Sequence, residues 1–496
     1  MHELLTPRQM GLADQLTIDA GVPGIELMEA AGAFLAQVVK KHFEDSQSVL
    51  VVCGPGNNGG DGYVLARLLS DVGLQVDVFV PLGIENIAGD AKIAFECLSG
   101  QVRQIDDPDW SAYALIVDAL FGAGLTKDIE GKLGSIVSHI NDSPAMVLAV
   151  DLPSGINGET GTICGNAVVS DVTATFFRYK PGHLLYPGKS HCGTTEVGQI
   201  GILDTVLAEI GIDTFHNRPE LWDSHLPKRK STQHKYSRGH TLVLSGQLTK
   251  SGAARLMASA ALRMGSGLVT LAGASDVLPI NASRLDSVMF AEANDAGEFR
   301  HLLEDDRVNC LCLGPGMPPY DTTRLFVSEA LGTGKNTVLD AGALSAFDDR
   351  QDLFFKQISD RKRDVVITPH TGEFARLFPE LTDLPSKLEM ARQAAATANA
   401  VVVLKGPDTI VANSCGQAAI ASNAPPWLAT AGSGDVLTGI IAGLLAQGMQ
   451  AFEAGCAAVW IHGEAANIIG SSLVSSDLDY GLTEAIKSHA LFESSR

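Results

Sequence analysis

Residues able to hold phosphate and move protons gather in a few loops of this 496-residue chain. Near the start, Gly54-Pro55-Gly56-Asn57-Asn58-Gly59-Gly60-Asp61-Gly62 follows an apolar run and leads into a helical pattern; near the end, Thr430-Ala431-Gly432-Ser433-Gly434-Asp435 precedes another. Glycines leave backbone amides uncovered, and at a helix N-terminus those amides and the macrodipole favour an anion. The pattern predicts two nucleotide sites in one chain.

In the first loop Gly54, Gly56 and Gly59 fit the G-x-G-x-x-G of dinucleotide binding. An acidic residue ending the next strand should hold a ribose, yet Val80 and Pro81 stand there and Asp77 comes too early, which disfavours a simple dehydrogenase. Asn57, Asn58 and Asp61 add oxygen donors that phosphate does not need, so a hard cation is expected as well. Asp118 in Asp118-Ala119-Leu120-Phe121-Gly122-Ala123-Gly124 and Asp151 in Asp151-Leu152-Pro153-Ser154-Gly155 end two further apolar runs. Ligands of an open α/β sheet lie beyond the carboxyl ends of its strands, so the three loops should converge. Any one of these aspartates alone reads equally well as a cap or turn residue. Lys180 reads as a solvated lysine before a turn, with phosphate neutralisation as the alternative.

In the second loop a carboxylate beside an anion hole opposes phosphate binding unless it has chemical work. That work is accepting a proton from a hydroxyl that attacks a phosphoryl group, the role assigned to Asp435; an N-cap aspartate is the competing reading. Lys405-Gly406-Pro407-Asp408-Thr409 offers an amine for phosphate and a hydroxyl donor, or an ordinary turn. Gly314-Pro315-Gly316 and Thr368-Pro369-His370-Thr371-Gly372-Glu373 end two more strands; Glu373 also suits a first helical turn, and a lone His370 is more often structural.

Elements must place these loops. Apolar runs at Val49–Cys53, Val76–Val80, Leu115–Val117 and Met146–Val150, between helical patterns at Gly24–Lys41 and Tyr63–Val72, predict a mostly parallel sheet buried on both faces. Polar, proline-containing residues 216–238 read as a linker between a domain over 1–215 and one over 239–496. The second restarts with runs at Thr241–Leu244, Leu311–Leu313, Val338–Asp340, Val365–Thr368 and Val401–Leu404, with helical patterns at Ala253–Met264, Val436–Gln447 and Gly455–Ile469. The fold class is α/β in two domains. With 36 Lys plus Arg against 57 Asp plus Glu, a formal net charge of −21 argues against partnership with nucleic acid or an anionic membrane. Eight scattered cysteines form no CxxC or zinc pattern, and Met1 to Gly32 mixes acidic residues into its apolar stretches, so reduced thiols and a cytoplasmic protein without a signal peptide or membrane span are expected.

Taken in order, N-N-G-G-D, D-A-L-F-G-A-G and D-L-P-S-G resemble the loops of NAD(P)H-hydrate epimerases. G-P-G, T-P-H-T-G-E, K-G-P-D-T and G-S-G-D resemble those of ADP-dependent NAD(P)H-hydrate dehydratases, and the whole chain outside the linker resembles the fused bifunctional repair enzymes. The resemblance implies a Rossmann-like epimerase domain followed by a ribokinase-like dehydratase domain. Their substrates would be NADHX and NADPHX, the 6-hydroxy hydrates of NADH and NADPH. The first domain would interconvert R and S epimers; the second would dehydrate the S form with ADP, releasing AMP and phosphate.

Carried over by motif, Asn57, Asn58, Gly59, Gly60 and Asp61, the loop Gly122, Ala123, Gly124, Leu125, Thr126, Lys127 and Asp128, and Asp151 would bind the hydrate, with Asp151 catalytic. Asn58, Asp118 and Ser154 would hold a potassium ion (K+). In the second domain Ala253, Gly316, His370 and Asp435 would contact the hydrate, with Asp435 the base, and Lys405, Gly406, Pro407, Asp408, Thr409 and Gly434 would contact ADP, with Mg2+ expected but no ligand assigned. Two departures touch local loop geometry: Met317-Pro318 follows Gly316 where the family usually continues to a third glycine, and Ala424-Pro425-Pro426-Trp427 replaces an Asn-Pro-Gly-like turn. A homo-oligomer is expected. The runner-up is a ribokinase-like small-molecule kinase fused to a noncatalytic dinucleotide-binding domain, since an Asp in a G-x-G-D loop serves sugar kinases too.

Overall fold

The computed structural model describes residues 2–98, 102–229, 232–361 and 363–493. The chain divides into two compact α/β units, Glu3–Thr214 and Phe215–Arg496. In the first, strands β1 (Ser48–Cys53), β2 (Gln75–Phe79), β3 (Arg103–Ile105), β4 (Leu115–Ala119), β5 (Met146–Val150), β6 (Val172–Phe176) and β7 (Thr194–Gly198) form a parallel sheet in the order β3-β2-β1-β4-β5-β6-β7. Strand order reverses beside β1, and such a switch point opens a crevice at the carboxyl ends of the strands.

Alternate residues of β1 enter two cores. Val49, Val51 and Cys53 pack with Leu35 of helix α2 (Gly24–His42) and Val64 of α3 (Asn57–Asp71), while Leu50 and Val52 join Ile136 and Ile140 on the other face. Burial on both faces is why the strand reads as an unbroken apolar run. Strand β6 was not expected, because Thr173 and Thr175 dilute its apolar signal; both are fully buried, and the Thr173 hydroxyl donates to Cys192 O at 2.7 Å. An N-terminal helix, α1 (Pro7–Asp19), starts at a capping box in which Thr6 and Gln9 satisfy each other's backbone amides.

In the second unit, β9 (His240–Leu244), β10 (Leu268–Gly273), β11 (Met289–Glu292), β12 (Cys310–Leu313), β13 (Asn336–Leu339), β14 (Val365–Ile367) and β15 (Val401–Leu404) pair in parallel, and β16 (Ile410–Ala412) and β17 (Ala418–Ile420) continue antiparallel. The order is β11-β10-β9-β12-β13-β14-β15-β16-β17-β8, where β8 (Thr214–His216) is the segment in which the chain passes into this unit. Residues 216–238, read as a linker, are more than a tether, although 230 and 231 lie outside the described residues. Pro219–Trp222 is helical, and fully buried Trp222 joins the core of the second unit with its ring 5.6 Å from that of Trp460. Leu226 joins the same core, and the polar composition of the stretch hid these anchors.

Candidate active sites

The first site occupies a cavity of about 790 Å³ at the carboxyl ends of β1, β4, β5 and β6. Asn57 and Asn58 open α3 directly, six residues earlier than Tyr63, so the glycine-rich loop is itself the first helical turn. Close approach makes this possible: a Cβ on Gly59 would lie 1.9 Å from Gly54 O, and one on Gly122 would lie 2.9 Å from both Asn58 Oδ1 and Asp151 Oδ2. Asn57, Asn58, Asp61, the Gly122–Asp128 loop and Asp151 all line the cavity, whereas Gly59 and Gly60 are buried in the turn behind it. Asp77 is spent elsewhere, taking both Arg103 nitrogens at 2.6 and 2.8 Å and the Tyr113 hydroxyl at 2.6 Å.

Asp151 sits just past β5 with φ of +62°, a left-handed conformation uncommon outside glycine, which turns its carboxylate into the cavity. Oδ1 accepts from Lys180 Nζ at 2.7 Å and Thr175 Oγ1 at 2.9 Å, and Oδ2 accepts from Ala123 N at 2.9 Å. Burial alone would push this carboxyl up, but the Lys180 charge and hydrogen bond hold it down at about 2, so it is ionised. Lys180, read from sequence as solvated, is 1% exposed and also donates to Thr175 Oγ1 at 2.9 Å. His183 fixes the segment: one ring nitrogen meets Asp151 O at 2.7 Å and the other accepts from Lys180 N at 3.0 Å. Burial, reinforced by the lysine charge, lowers this imidazole to about 4.

Beside this carboxylate, Asn58 has both amide atoms sealed from solvent and without a hydrogen-bond partner. Asp118 is fully buried, accepts from Ser154 Oγ at 2.6 Å and Ser154 N at 2.7 Å, and is pushed up to about 6 by burial despite these bonds. An orphaned amide oxygen, a buried carboxylate and a hydroxyl are hard oxygen donors of the kind an alkali cation takes, and an unpartnered buried amide is costly without one. Among the described residues no cluster of three or more His, Cys, Asp or Glu could hold a metal ion.

In the second unit Asp435 lies in the first turn of the Ser433–Ala446 helix, whose N-cap Gly432 takes φ of +90°. Sequence reading passed over Asp340, which follows β13 and is 1% exposed. Its Oδ1 accepts from Lys405 Nζ at 2.7 Å and its Oδ2 from Thr438 Oγ1 at 3.0 Å. A Cβ on Gly434 would lie 3.5 Å from Lys405 Nζ and 3.8 Å from Asp340 Oδ2, so the glycine loop, the lysine and both aspartates share one corner. Burial and then repulsion from Asp340 raise Asp435 to about 6, with Lys405 acting against them. A carboxyl poised there suits proton transfer near neutral pH.

Other expected contacts are differently engaged. The Thr409 hydroxyl donates to Gly406 O at 2.7 Å, closing the turn on itself, and Asp408 is buried in an ion pair with Lys387, which sequence reading did not single out. Pro407 lies within this closed turn. His370 caps the Thr371–Leu377 helix: its Nδ1 accepts from Gly372 N at 3.0 Å, while Glu373 accepts from His370 N at 3.0 Å. Ala253 is the second residue of the Gly252–Arg263 helix, and Gly316, with φ of +78°, accepts from Gln247 N at 3.2 Å. His462, buried against the backbone of Ser433, has an unpartnered Nε2 and is lowered to about 4 by burial.

A family model described as NAD(P)H-hydrate dehydratase matches residues 241–486, and one described as YjeF-related protein N-terminus matches residues 24–182. The bifunctional NAD(P)H-hydrate repair enzyme of Moorella thermoacetica is 35% identical over 93% of this chain and 91% of that protein; the one of Thermofilum pendens is 34% identical over 90% and 88%. The solved ADP/ATP-dependent NAD(P)H-hydrate dehydratase of Bacillus subtilis, co-crystallised with ATP and Mg2+, is 27% identical, with a TM-score of 0.49 over 56% of this chain and 98% of that one. The Escherichia coli repair enzyme is 32% identical over 91% of this chain and 86% of its own length. Similarity that runs unbroken through both loop-bearing halves leaves one conclusion: the chain belongs to the family of bifunctional NAD(P)H-hydrate repair enzymes.

Proposed function

We propose that this chain is a bifunctional enzyme that returns hydrated NADH and NADPH to service. The unit Glu3–Thr214 interconverts the R and S hydrates, and the unit Phe215–Arg496 dehydrates the S form at the expense of ADP, releasing AMP and phosphate. The observation that carries this reading is the corner of Asp435, Asp340 and Lys405 at a glycine-capped helix N-terminus. Hydroxide leaves a ring poorly, so the hydroxyl must become a phosphate ester first. Asp435 takes the hydroxyl proton as the oxygen attacks the terminal phosphoryl group of ADP, and the amides of the Gly432–Gly434 turn face the phosphate charge. Asp340 fixes the Lys405 amine beside Gly434, where it counters that charge. When bound, Mg2+ neutralises the nucleotide phosphates.

In the first unit, the Asn57–Asp61 turn and the Gly122–Asp128 loop bind the hydrate, and ionised Asp151 faces the reacting ring. Asn58, Asp118 and Ser154 would hold K+, which supplies positive charge that the orphaned Asn58 amide oxygen is set to accept. The chain acts in the cytoplasm as a homo-oligomer, a state that light scattering reads directly. Incubation with hydrated NADH and ADP should restore the reduced-nicotinamide absorbance with stoichiometric phosphate release. A preparation that restores none with ADP present overturns the reading, and a stable phosphorylated product would mark a kinase instead.

A further inference from the structure

We propose that Asp14 is the proton-transfer residue of the first site, giving a proton to the departing ring hydroxyl and recovering one after water adds to the opposite face. The proposal rests on the epimerase reading above and assigns a residue outside the 24–182 segment that the family model matches.

Helix α1 presents Pro7, Met10, Gly11, Asp14 and Ile18 to the cavity, a stripe at the three-and-four spacing of one helical face, and Asp14 is its only charged member. The helix is pinned where this matters. Leu4 pairs with Tyr179, the residue before Lys180, Leu5 N donates to Tyr179 O at 3.0 Å, and Ala13 and Thr17 are buried beneath. Across the same cavity stand Asp61, Asp151 and Lys180.

Inverting the ring carbon that bears the hydroxyl requires two services. The C–O bond breaks as the hydroxyl oxygen takes a proton and leaves as water, and the ring nitrogen lone pair forms a C=N bond, giving a cation. Water then adds to the other face of that carbon, the C=N electrons return to nitrogen, and one proton is released through solvent to the donor. The cation calls for a fixed negative charge, and the proton step calls for a group that changes state near neutral pH. Asp151, saturated by Lys180, Thr175 and Ala123, is the former. Asp14 has the complementary character: burial, opposed by Lys180 and aided by Asp151, raises it to about 6, and no hydrogen bond occupies its carboxyl among the described residues. Asp61 is raised too, but it is only 9% exposed, whereas half-buried Asp14 has the freer exchange of protons with solvent. The remaining charges lining the cavity are Asp90, Lys127 and Asp128.

The experiment follows R-to-S conversion of hydrated NADH by the intact chain, after subtraction of the spontaneous rate, for the unaltered protein, Asp14→Asn and Asp14→Glu. Loss of a positioned proton donor lowers kcat by ~10²-fold or more. Asp14→Asn should show that loss in kcat with little change in KM, and Asp14→Glu should recover part of it. In the unaltered protein kcat should fall as pH rises above about 6, and that limb should vanish in Asp14→Asn. Unchanged kcat in Asp14→Asn, or a defect confined to KM, overturns the proposal. If the unaltered protein itself does not convert R to S, the epimerase reading fails instead. Should Asp14→Asn fold poorly, the pH limb of the unaltered protein and the Asp14→Glu rate still decide.

Discussion

At the residue scale each unit holds a carboxylate near a lysine, with opposite results: burial is outweighed by the charge and hydrogen bond of the lysine at Asp151, and burial outweighs the lysine at Asp435. Lys180 bonds Asp151 directly and holds it at about 2, while Lys405 bonds Asp340 and leaves Asp435 raised to about 6. Asp435→Asn should keep nucleotide binding by calorimetry while ADP-dependent recovery of NADH falls ~10²–10⁴-fold. Because a base must be ionised, dehydration by the unaltered protein should lose rate as pH falls through about 6. For Asp151 the linkage concerns stability. Its pKa is depressed in the folded state, so its contribution is complete above the ordinary carboxylate range and is lost as pH falls towards about 2. Lys180→Met leaves that carboxylate buried without its counter-charge and should cost about 3–5 kcal/mol in denaturant unfolding of the first unit. Asp151→Asn combined with Lys180→Met should recover part of the loss.

At the element scale, the start of α3 shows how packing overrides local preference. Asn-Asn-Gly-Gly is a poor opening for a helix, and the sequence pattern places the helix at Tyr63. The turn forms at Asn57 because Gly59 and Gly122 let backbone and carboxylates approach more closely than a side chain would permit. Gly122→Ala would press a methyl against Asn58 Oδ1 and Asp151 Oδ2. It should cost ~1–3 kcal/mol of stability and sharply raise the epimerase KM, checked by thermal melts and initial rates. Helix α1 was legible in principle: Thr6-Pro7-Arg8-Gln9 is a capping box with proline in the first turn. What no pattern in α1 discloses is that its Asp14 stripe faces a cavity built at the ends of β1, β4, β5 and β6, strands that lie well beyond it in the chain.

At the scale of the whole molecule, the two units carry separate sheets and separate cores, so each should keep its own activity when expressed alone. The cut must respect Trp222. Residues 215–496 should fold and dehydrate, whereas residues 225–496 lack a buried tryptophan of the core and should be less stable by about 3–5 kcal/mol. Paired melting curves of the two fragments check this. Among the described residues no helix is long and apolar enough to cross a membrane, as the acidic, glycine-interrupted composition implies.

Sequence by itself determined the class of this protein: apolar runs buried on both faces dictate parallel sheets, and glycine-rich loops after those runs mark where backbone amides lie uncovered at a helix start, since both follow from chemistry local to a few residues. Tertiary structure decided which charges meet. Lys180 reads as solvated until β5 and β6 lie side by side and leave Asp151 as its partner; Asp340 reads as the end of a strand until Lys405 and Thr438 are folded against it. The ionisation of a carboxylate depends on what surrounds it in space, and that surrounding is assembled from segments far apart in the chain.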